Sequence, residues 1–226
     1  LTVSDFSKND IIETFDTDPH RITVTHLGLP DHTPIPPYTQ EKPYFLYVGV
    51  QYPHKNLVFL FELFERWNAQ RNYAFDLILA GPEGPFTETI KTTITELNTK
   101  SNREMITFIP HPSELSLAAL YRGATAFLFP SLYEGFGLPP LEAMATGIPV
   151  IAHSVASMPE ILGDAALLIP QNDTLAWYEA LTSVVEDENI RASLIKKGIE
   201  RAAQFDWHKT ISSTHALYNK ISLNML

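Results

Sequence analysis

Seven residues separate Glu134 from Glu142, and the stretch between them, Gly135-Phe136-Gly137-Leu138-Pro139-Pro140-Leu141, holds two glycines and a pair of prolines. A carboxylate accepts two hydrogen bonds side by side, so either glutamate can grip a vicinal diol of the kind found on a ribose or a hexose. Prolines suit the first turn of a helix, so Pro139 and Pro140 predict a helix start here. The N–H groups of Gly135, Phe136, Gly137 and Leu138 then point from a helix N-terminus and form a site for a phosphate, with glycine letting the ligand approach the backbone. A ligand that uses both features carries a sugar at one end and a diphosphate in its middle. Each glutamate also has a plain reading. Glu142, placed in the first turn, complements the helix dipole, and Glu134 is a solvated loop residue. The glycines and the position after an apolar run ending at Pro130 favour the functional reading.

A second segment, Val48-Gly49-Val50-Gln51-Tyr52-Pro53-His54-Lys55-Asn56-Leu57, also links an apolar run to a helical pattern. Lys55 sits near the helix start, where acids are the usual preference, and an anionic ligand would explain it. A long surface lysine explains it equally well.

These loops need strands before them and helices after them. Near-continuous apolar runs predict strands at Tyr44–Val48, Phe75–Ala80, Met105–Ile109, Ala126–Phe129, Pro149–Ala152 and Ala166–Ile169, buried on both faces. Between them lie helical periods. In Leu57 to Arg71 the residues Leu57, Leu60, Phe61, Phe64 and Trp67 form one face, with Glu62, Glu65 and Arg66 on the other. Leu117, Leu120 and Tyr121 form another face, as do Leu175, Tyr178, Leu181 and Val185, and then Ile211, Leu217, Tyr218 and Ile221. All are expected in the core. The pattern gives an α/β fold, a Rossmann-like parallel six-stranded sheet with helices on both faces, whose ligands bind at the C-terminal ends of the strands.

The first 43 residues read differently. Thr2–Val3, a helix over Lys8–Phe15 and a strand Ile22–His26 make a small β-α-β piece that cannot bury a sheet alone, and Pro30 to Pro37 carries four prolines, as an extended linker does. The domain reading is therefore 1–28 as the closing piece of another domain, 29–43 as linker, 44–206 as the sheet domain and 207–226 as a C-terminal helix. The chain begins with Leu1, which suits a piece of something longer.

With 16 Lys+Arg against 26 Asp+Glu the net charge is −10, which argues against a nucleic-acid binder. A 45% hydrophobic and 19% charged composition is that of a folded globular protein rather than a disordered one. The absence of cysteine removes disulfides and thiolate sites, and eight scattered histidines offer no pair at ligand spacing, so no metal site is expected. No apolar run approaches the roughly 20 residues of a membrane-spanning helix. Asn172-Asp173-Thr174 is a formal glycosylation acceptor that fits better as a helix cap.

Taken together, these segments resemble the donor-binding half of the retaining glycosyltransferases of family 4, also called group 1, which have the two-domain GT-B fold. The resemblance rests on Glu134 and Glu142, on Gly49 with Lys55-Asn56-Leu57, and on Ala80-Gly81, Ala119-Leu120-Tyr121, Gly123-Ala124, Gly147-Ile148-Pro149-Val150-Ile151, Pro159-Glu160-Ile161 and Gly163-Asp164-Ala165-Ala166, in the family's order. It implies that Glu142 holds the donor ribose, that Glu134 contacts the transferred sugar near its anomeric centre, and that Lys55 pairs with the diphosphate. It further implies that Gly49, Val50 and the backbone of Gly135, Phe136, Gly137 and Leu138 contact the donor, and that Ile109, Pro110 and His111 face the base. Glu160 is expected to be structural. The implied reaction moves a sugar from a nucleotide-diphosphate donor to a glycan or lipid-linked acceptor with retention and without a metal or cofactor, so it does not follow the two-carboxylate hydrolase scheme.

Two positions depart from the family pattern. Val50 stands where many members have arginine, and Pro110-His111 where many have glycine and an apolar residue. The resemblance places the acceptor site, and any peripheral membrane contact, in an N-terminal domain that this chain lacks. It thereby implies a cytoplasmic enzyme, at the membrane's cytoplasmic face when full length, of which this chain alone transfers little. A non-catalytic nucleotide-sugar-binding subunit or sensor that partners a separate acceptor domain is the competing reading. A generic dinucleotide-binding domain is disfavoured, because the three-glycine fingerprint is absent from Gly49 to Leu57.

Overall fold

The computed structural model describes residues 1–30 and 35–224. Six parallel strands form one sheet: β1 (Tyr44–Val48), β2 (Asp76–Gly81), β3 (Ile106–Pro110), β4 (Ala126–Phe129), β5 (Val150–His153) and β6 (Leu167–Ile169), in the spatial order β3-β2-β1-β4-β5-β6. The sheet is the expected one, with strand ends shifted by a residue or so. Every residue of β1, β4 and β5 is buried, because helices cover both faces and leave no solvated side. The order reverses between β1 and β4, which lie side by side with Phe45 opposite Ala126 and Leu46 opposite Phe127. Their following loops diverge to opposite faces and leave a crevice at the C-terminal edge. That reversal brings the Lys55 and Glu134 loops together.

The helices are α1 (Asp5–Phe15), α2 (Leu57–Ala69), α3 (Thr87–Ser101), α4 (Glu114–Gly123), α5 (Leu138–Ala145), α6 (Met158–Leu162), α7 (Thr174–Glu186), α8 (Glu188–Ala202) and α9 (Trp207–Asn224). The predicted face of α2 is buried, but Glu65 is buried with it, at 3.5 Å from Lys100 on α3. In α7 the stripe is rotated from the expected one. Leu175 is 69% exposed, while Trp177, Ala180, Leu181 and Val184 are buried, because the indole of Trp177 fills the space beside Phe59 and His153. Asp173 caps this helix, its side chain accepting from the Ala176 N–H at 2.9 Å.

Two expectations need correction. Ile22–His26 is not a strand: only Val24 pairs, in a single parallel bridge to Thr2, since a strand needs neighbours that this segment does not find. The apolar stripe of α9 is not core, for Ile211, Tyr218 and Ile221 are 62%, 58% and 47% exposed. Its helical period is real; no element among the described residues covers it. Of the proline-rich stretch, 31–34 lie outside the described residues. From Ile35 to Pro43 the chain is irregular but anchored on α4, where the Tyr38 N–H donates to the Ala119 carbonyl at 2.9 Å and Arg122 donates to the Ile35 carbonyl.

His153, at the end of β5, is 1% exposed between the Phe59 and Trp177 rings, and neither ring nitrogen has a hydrogen-bond partner among the described residues. Burial pushes its pKa below 6.5, with the backbone of Pro130 and Ser131 opposing the shift in part. A group held neutral in the fold takes up its proton first in the unfolded chain, so stability falls as pH drops below 6.5. Urea unfolding above and below that pH is expected to show the loss in the wild type and a flatter profile in His153→Leu. Equal slopes in the two proteins would overturn this assignment.

Candidate active site

The loop between β4 and α5 is built to present backbone amides. Gly137, the residue before α5, has φ +97° and ψ 61°, a backbone conformation that requires glycine, and a Cβ there would also displace the Met158 Cε, 2.4 Å away. Among the described residues, the N–H groups of Gly135, Phe136, Gly137 and Leu138 donate to no protein acceptor. Three carbonyls of the same loop, those of Glu134, Gly135 and Phe136, are engaged by serines. Ser157 Oγ lies 2.9 Å from the Glu134 oxygen and 3.1 Å from that of Phe136, and Ser4 and Ser7 reach the Gly135 oxygen at 2.6 and 3.1 Å.

Lys55 reaches the same place from β1. It ends a single 3-10 turn, Pro53–Lys55, and Asn56 in the left-handed region separates it from α2, so it precedes the helix rather than lying at its start. Its ammonium stands 2.5 Å from Glu134 Oε1, with the two side chains only 16% and 13% exposed. Neither the surface-lysine nor the solvated-glutamate reading survives this burial. Beneath the pair lies an aromatic floor: Phe129, 5.7 Å from the Lys55 nitrogen, is stacked on Tyr47. Burial raises the Tyr47 pKa, and the Glu134 charge adds to the effect, so this phenol stays protonated.

Glu142 is the fifth residue of α5 and lies in the second turn, not the first. The dipole falls off within the first turn, so dipole complementation does not explain it. Tyr121 of α4, 3% exposed, donates its phenolic proton to Glu142 Oε2 at 2.9 Å. Burial drives that phenol well above its usual 10.0, and the carboxylate adds to the shift, so the donor is permanent. One carboxylate oxygen is thus held in place while lone pairs on both remain for a diol.

Along the sheet edge, Gly49 carries φ +152°, and a Cβ there would meet the Tyr47 hydroxyl at 2.7 Å. Val50 follows it, its carbonyl 3.4 Å from the same hydroxyl. Pro110 pairs with Gly81 at the end of β3, and His111 donates its N–H to the Gly81 carbonyl at 3.0 Å. Ile109, Pro110 and His111 therefore share the C-terminal edge but stand three strand steps, about 14 Å, from the glutamate loop. Among the described residues no hydrogen bond or ion pair joins the two groups, and a ligand binding both must be elongated.

Residues 32–201 match the family model described as glycosyl transferases group 1. The chain belongs to this family. Among its relatives, O-antigen chain mannosyltransferase B of Escherichia coli is 32% identical over 229 residues, covering 96% of this chain and 59% of the relative. The D-inositol 3-phosphate glycosyltransferase of Corynebacterium efficiens is 31% identical, covering 93% and 54%. The group 1 chain thus spans little more than half the length of these relatives. By fold it resembles sucrose-phosphate synthase from Thermosynechococcus elongatus, with TM-score 0.79, 24% identity and coverage of 99% of this chain and 58% of that one. It also resembles S. aureus TarM, a structure in complex with UDP, at TM-score 0.81 and 19% identity over 96% and 43%. The architecture is that of half a GT-B glycosyltransferase.

In this group 1 domain, periodicity alone made Tyr121 a core residue and offered no hint of its bond to Glu142. Ser157 and Tyr47 carry no sequence signal either. Glu160 is structural as expected, and its role is visible: it accepts from the N–H groups of Asp5 and Phe6 at 2.9 and 3.0 Å and from His26 at 3.0 Å, fastening the start of α1. Burial opposes its charge, yet these donors outweigh burial and hold its pKa below the usual carboxylate value.

Proposed function

We propose that this chain is the donor-binding half of a retaining, metal-independent glycosyltransferase that moves a hexosyl group from a nucleotide-diphosphate sugar to an acceptor hydroxyl in glycan or glycolipid synthesis. The reading is supported above all by the buried Lys55–Glu134 pair at the head of a loop whose four amides, from Gly135 to Leu138, donate to no acceptor among the described residues and which leads into α5 and Glu142. The amides and Lys55 bind the diphosphate, Glu142 the ribose, and Glu134 the sugar. The β3 end, at Ile109, Pro110 and His111, receives the base. In the reaction the anomeric carbon loses its bond to the diphosphate oxygen and gains one to the acceptor oxygen on the same face. The acceptor's proton passes to the departing phosphate. Preorganised donors and a cation against the leaving charge are worth several kcal/mol in such sites. Glu134, already paired with Lys55, serves as an electrostatic partner of the reacting sugar rather than as a hydrolase-type nucleophile.

The relatives named as O-antigen mannosyltransferases make a mannosyl donor the first to test. We further propose that residues 1–28 close an acceptor domain outside this chain, that 29–43 form the linker to the sheet domain 44–206, and that 207–226 make up the C-terminal segment after it. Isothermal titration with UDP, GDP, ADP and dTDP and their sugar conjugates is expected to show one nucleotide binding selectively. Turnover by the isolated chain is expected to be negligible beside that of the full-length enzyme. A chain that binds none of these nucleotides at millimolar concentration overturns the donor-site reading, and full turnover by the chain alone overturns the half-enzyme reading.

A further inference from the structure

In a planar trans peptide the C=O of one residue and the N–H of the next point in opposite directions. The bound carbonyls of Glu134, Gly135 and Phe136 therefore fix where the N–H groups of Gly135, Phe136 and Gly137 point. Three serines hold those carbonyls, and two of them, Ser4 and Ser7, come from the opening of α1, 131 and 128 residues away in sequence. We propose that Ser4 and Ser7, together with Ser157, are positioning residues that turn the loop amides toward the diphosphate, so that α1 preorganises the anion cradle. This rests on the donor-site reading above.

The geometry around α1 supports a built device rather than a chance contact. Ser4 is fully buried, and its Oγ also accepts from the Ser7 N–H at 3.0 Å, so one hydroxyl both caps the helix and grips the loop. The helix is fastened at its start by Glu160 and further along by Asp10, which accepts from the Tyr133 hydroxyl at 2.6 Å, with Phe6 packed edge-on against the Tyr133 ring at 5.5 Å. Tyr133 immediately precedes Glu134. The loop is thus clamped by α1 on one side and by Ser157, at the start of α6, on the other. Without the hydroxyls the peptide planes can rotate, and the cost of ordering them falls on the ligand.

The test uses the 226-residue chain. Ser7→Ala keeps the α1 cap, Ser4→Ala/Ser7→Ala removes both hydroxyls, and Ser7→Thr restores one. In the double variant the affinity for inorganic pyrophosphate is expected to fall about tenfold or more, with a smaller fall in Ser7→Ala and recovery in Ser7→Thr. Binding of the phosphate-free nucleoside is expected to stay at the wild-type level, a separation that general loss of structure does not produce. Without ligand, amide order parameters of Gly135, Phe136 and Gly137 are expected to drop from the rigid range near 0.85 toward 0.6 in the double variant. Wild-type pyrophosphate affinity with unchanged order parameters in the double variant overturns this proposal alone. A wild-type chain that binds neither pyrophosphate nor any nucleoside diphosphate overturns the donor-site reading and this proposal together.

Discussion

Glu142→Ala is expected to weaken binding of the preferred nucleoside diphosphate by about 100-fold. Hydrogen bonds to a charged partner contribute about 1.5–3 kcal/mol each, and two to one diol, counted without full additivity, come to roughly 3 kcal/mol. The effect is specific to the ribose. A 2′,3′-dideoxy analogue is expected to bind the wild type about as weakly as it binds Glu142→Ala, so the penalty of the mutation disappears with that ligand. Calorimetric titration of the four combinations checks this. If the mutation costs the dideoxy analogue as much as the natural nucleotide, Glu142 does not hold the diol. Tyr121→Phe is a milder version of the same experiment, since it leaves the carboxylate in place and removes only the phenol that holds Oε2.

The second large effect concerns stability and separates folding from function. Lys55 and Glu134 are 16% and 13% exposed at 2.5 Å, so removing one partner leaves a mostly buried charge uncompensated. Lys55→Met is expected to cost about 3 kcal/mol. For a chain of this size that is a fall in Tm of roughly 6–12 °C. Replacing both, Lys55→Met/Glu134→Leu, removes the stranded charge and is expected to recover most of the lost Tm while nucleotide binding stays impaired. Thermal unfolding of the wild type, the single variant and the double variant reads the first effect, and titration with the diphosphate the second. A double variant as unstable as the single one would show that the pair matters through packing rather than charge. In the full-length enzyme, Glu134→Gln is expected to lower transfer by about 100-fold or more, in line with the loss of a preorganised electrostatic group.

How much of this could be read from the chain itself follows from how far each signal reaches. Strand and helix existence is local: runs such as Tyr44–Val48 and Ala126–Phe129 are too apolar to be anything but doubly buried strands in an alternating pattern, and the parallel sheet follows. The helix start is local too, because Gly137, Pro139 and Pro140 dictate where α5 begins and leave its first amides without intrahelical acceptors. Placing Glu142 in the first turn failed by the ordinary uncertainty of a helix boundary. The helical period of α7 and α9 was legible, but which face is buried depends on neighbours that periodicity does not name. Trp177 took the core position in α7, and for α9 no described element covers the stripe of Ile211, Tyr218 and Ile221.

By itself, then, the sequence determined the α/β class, the six strands, the amide loop and the residue types at the site, since each depends on neighbours within a turn or a strand. Only the tertiary structure decided that Lys55 and Glu134 form one buried pair, that Tyr121 holds Glu142, and that Ser4 and Ser7 grip the loop from the other end of the chain. These are contacts between residues 21 to 131 apart in sequence. Their geometry follows from the strand order, which places β1 against β4 and leaves a crevice between their loops, and strand order is a property of packing that no local pattern encodes.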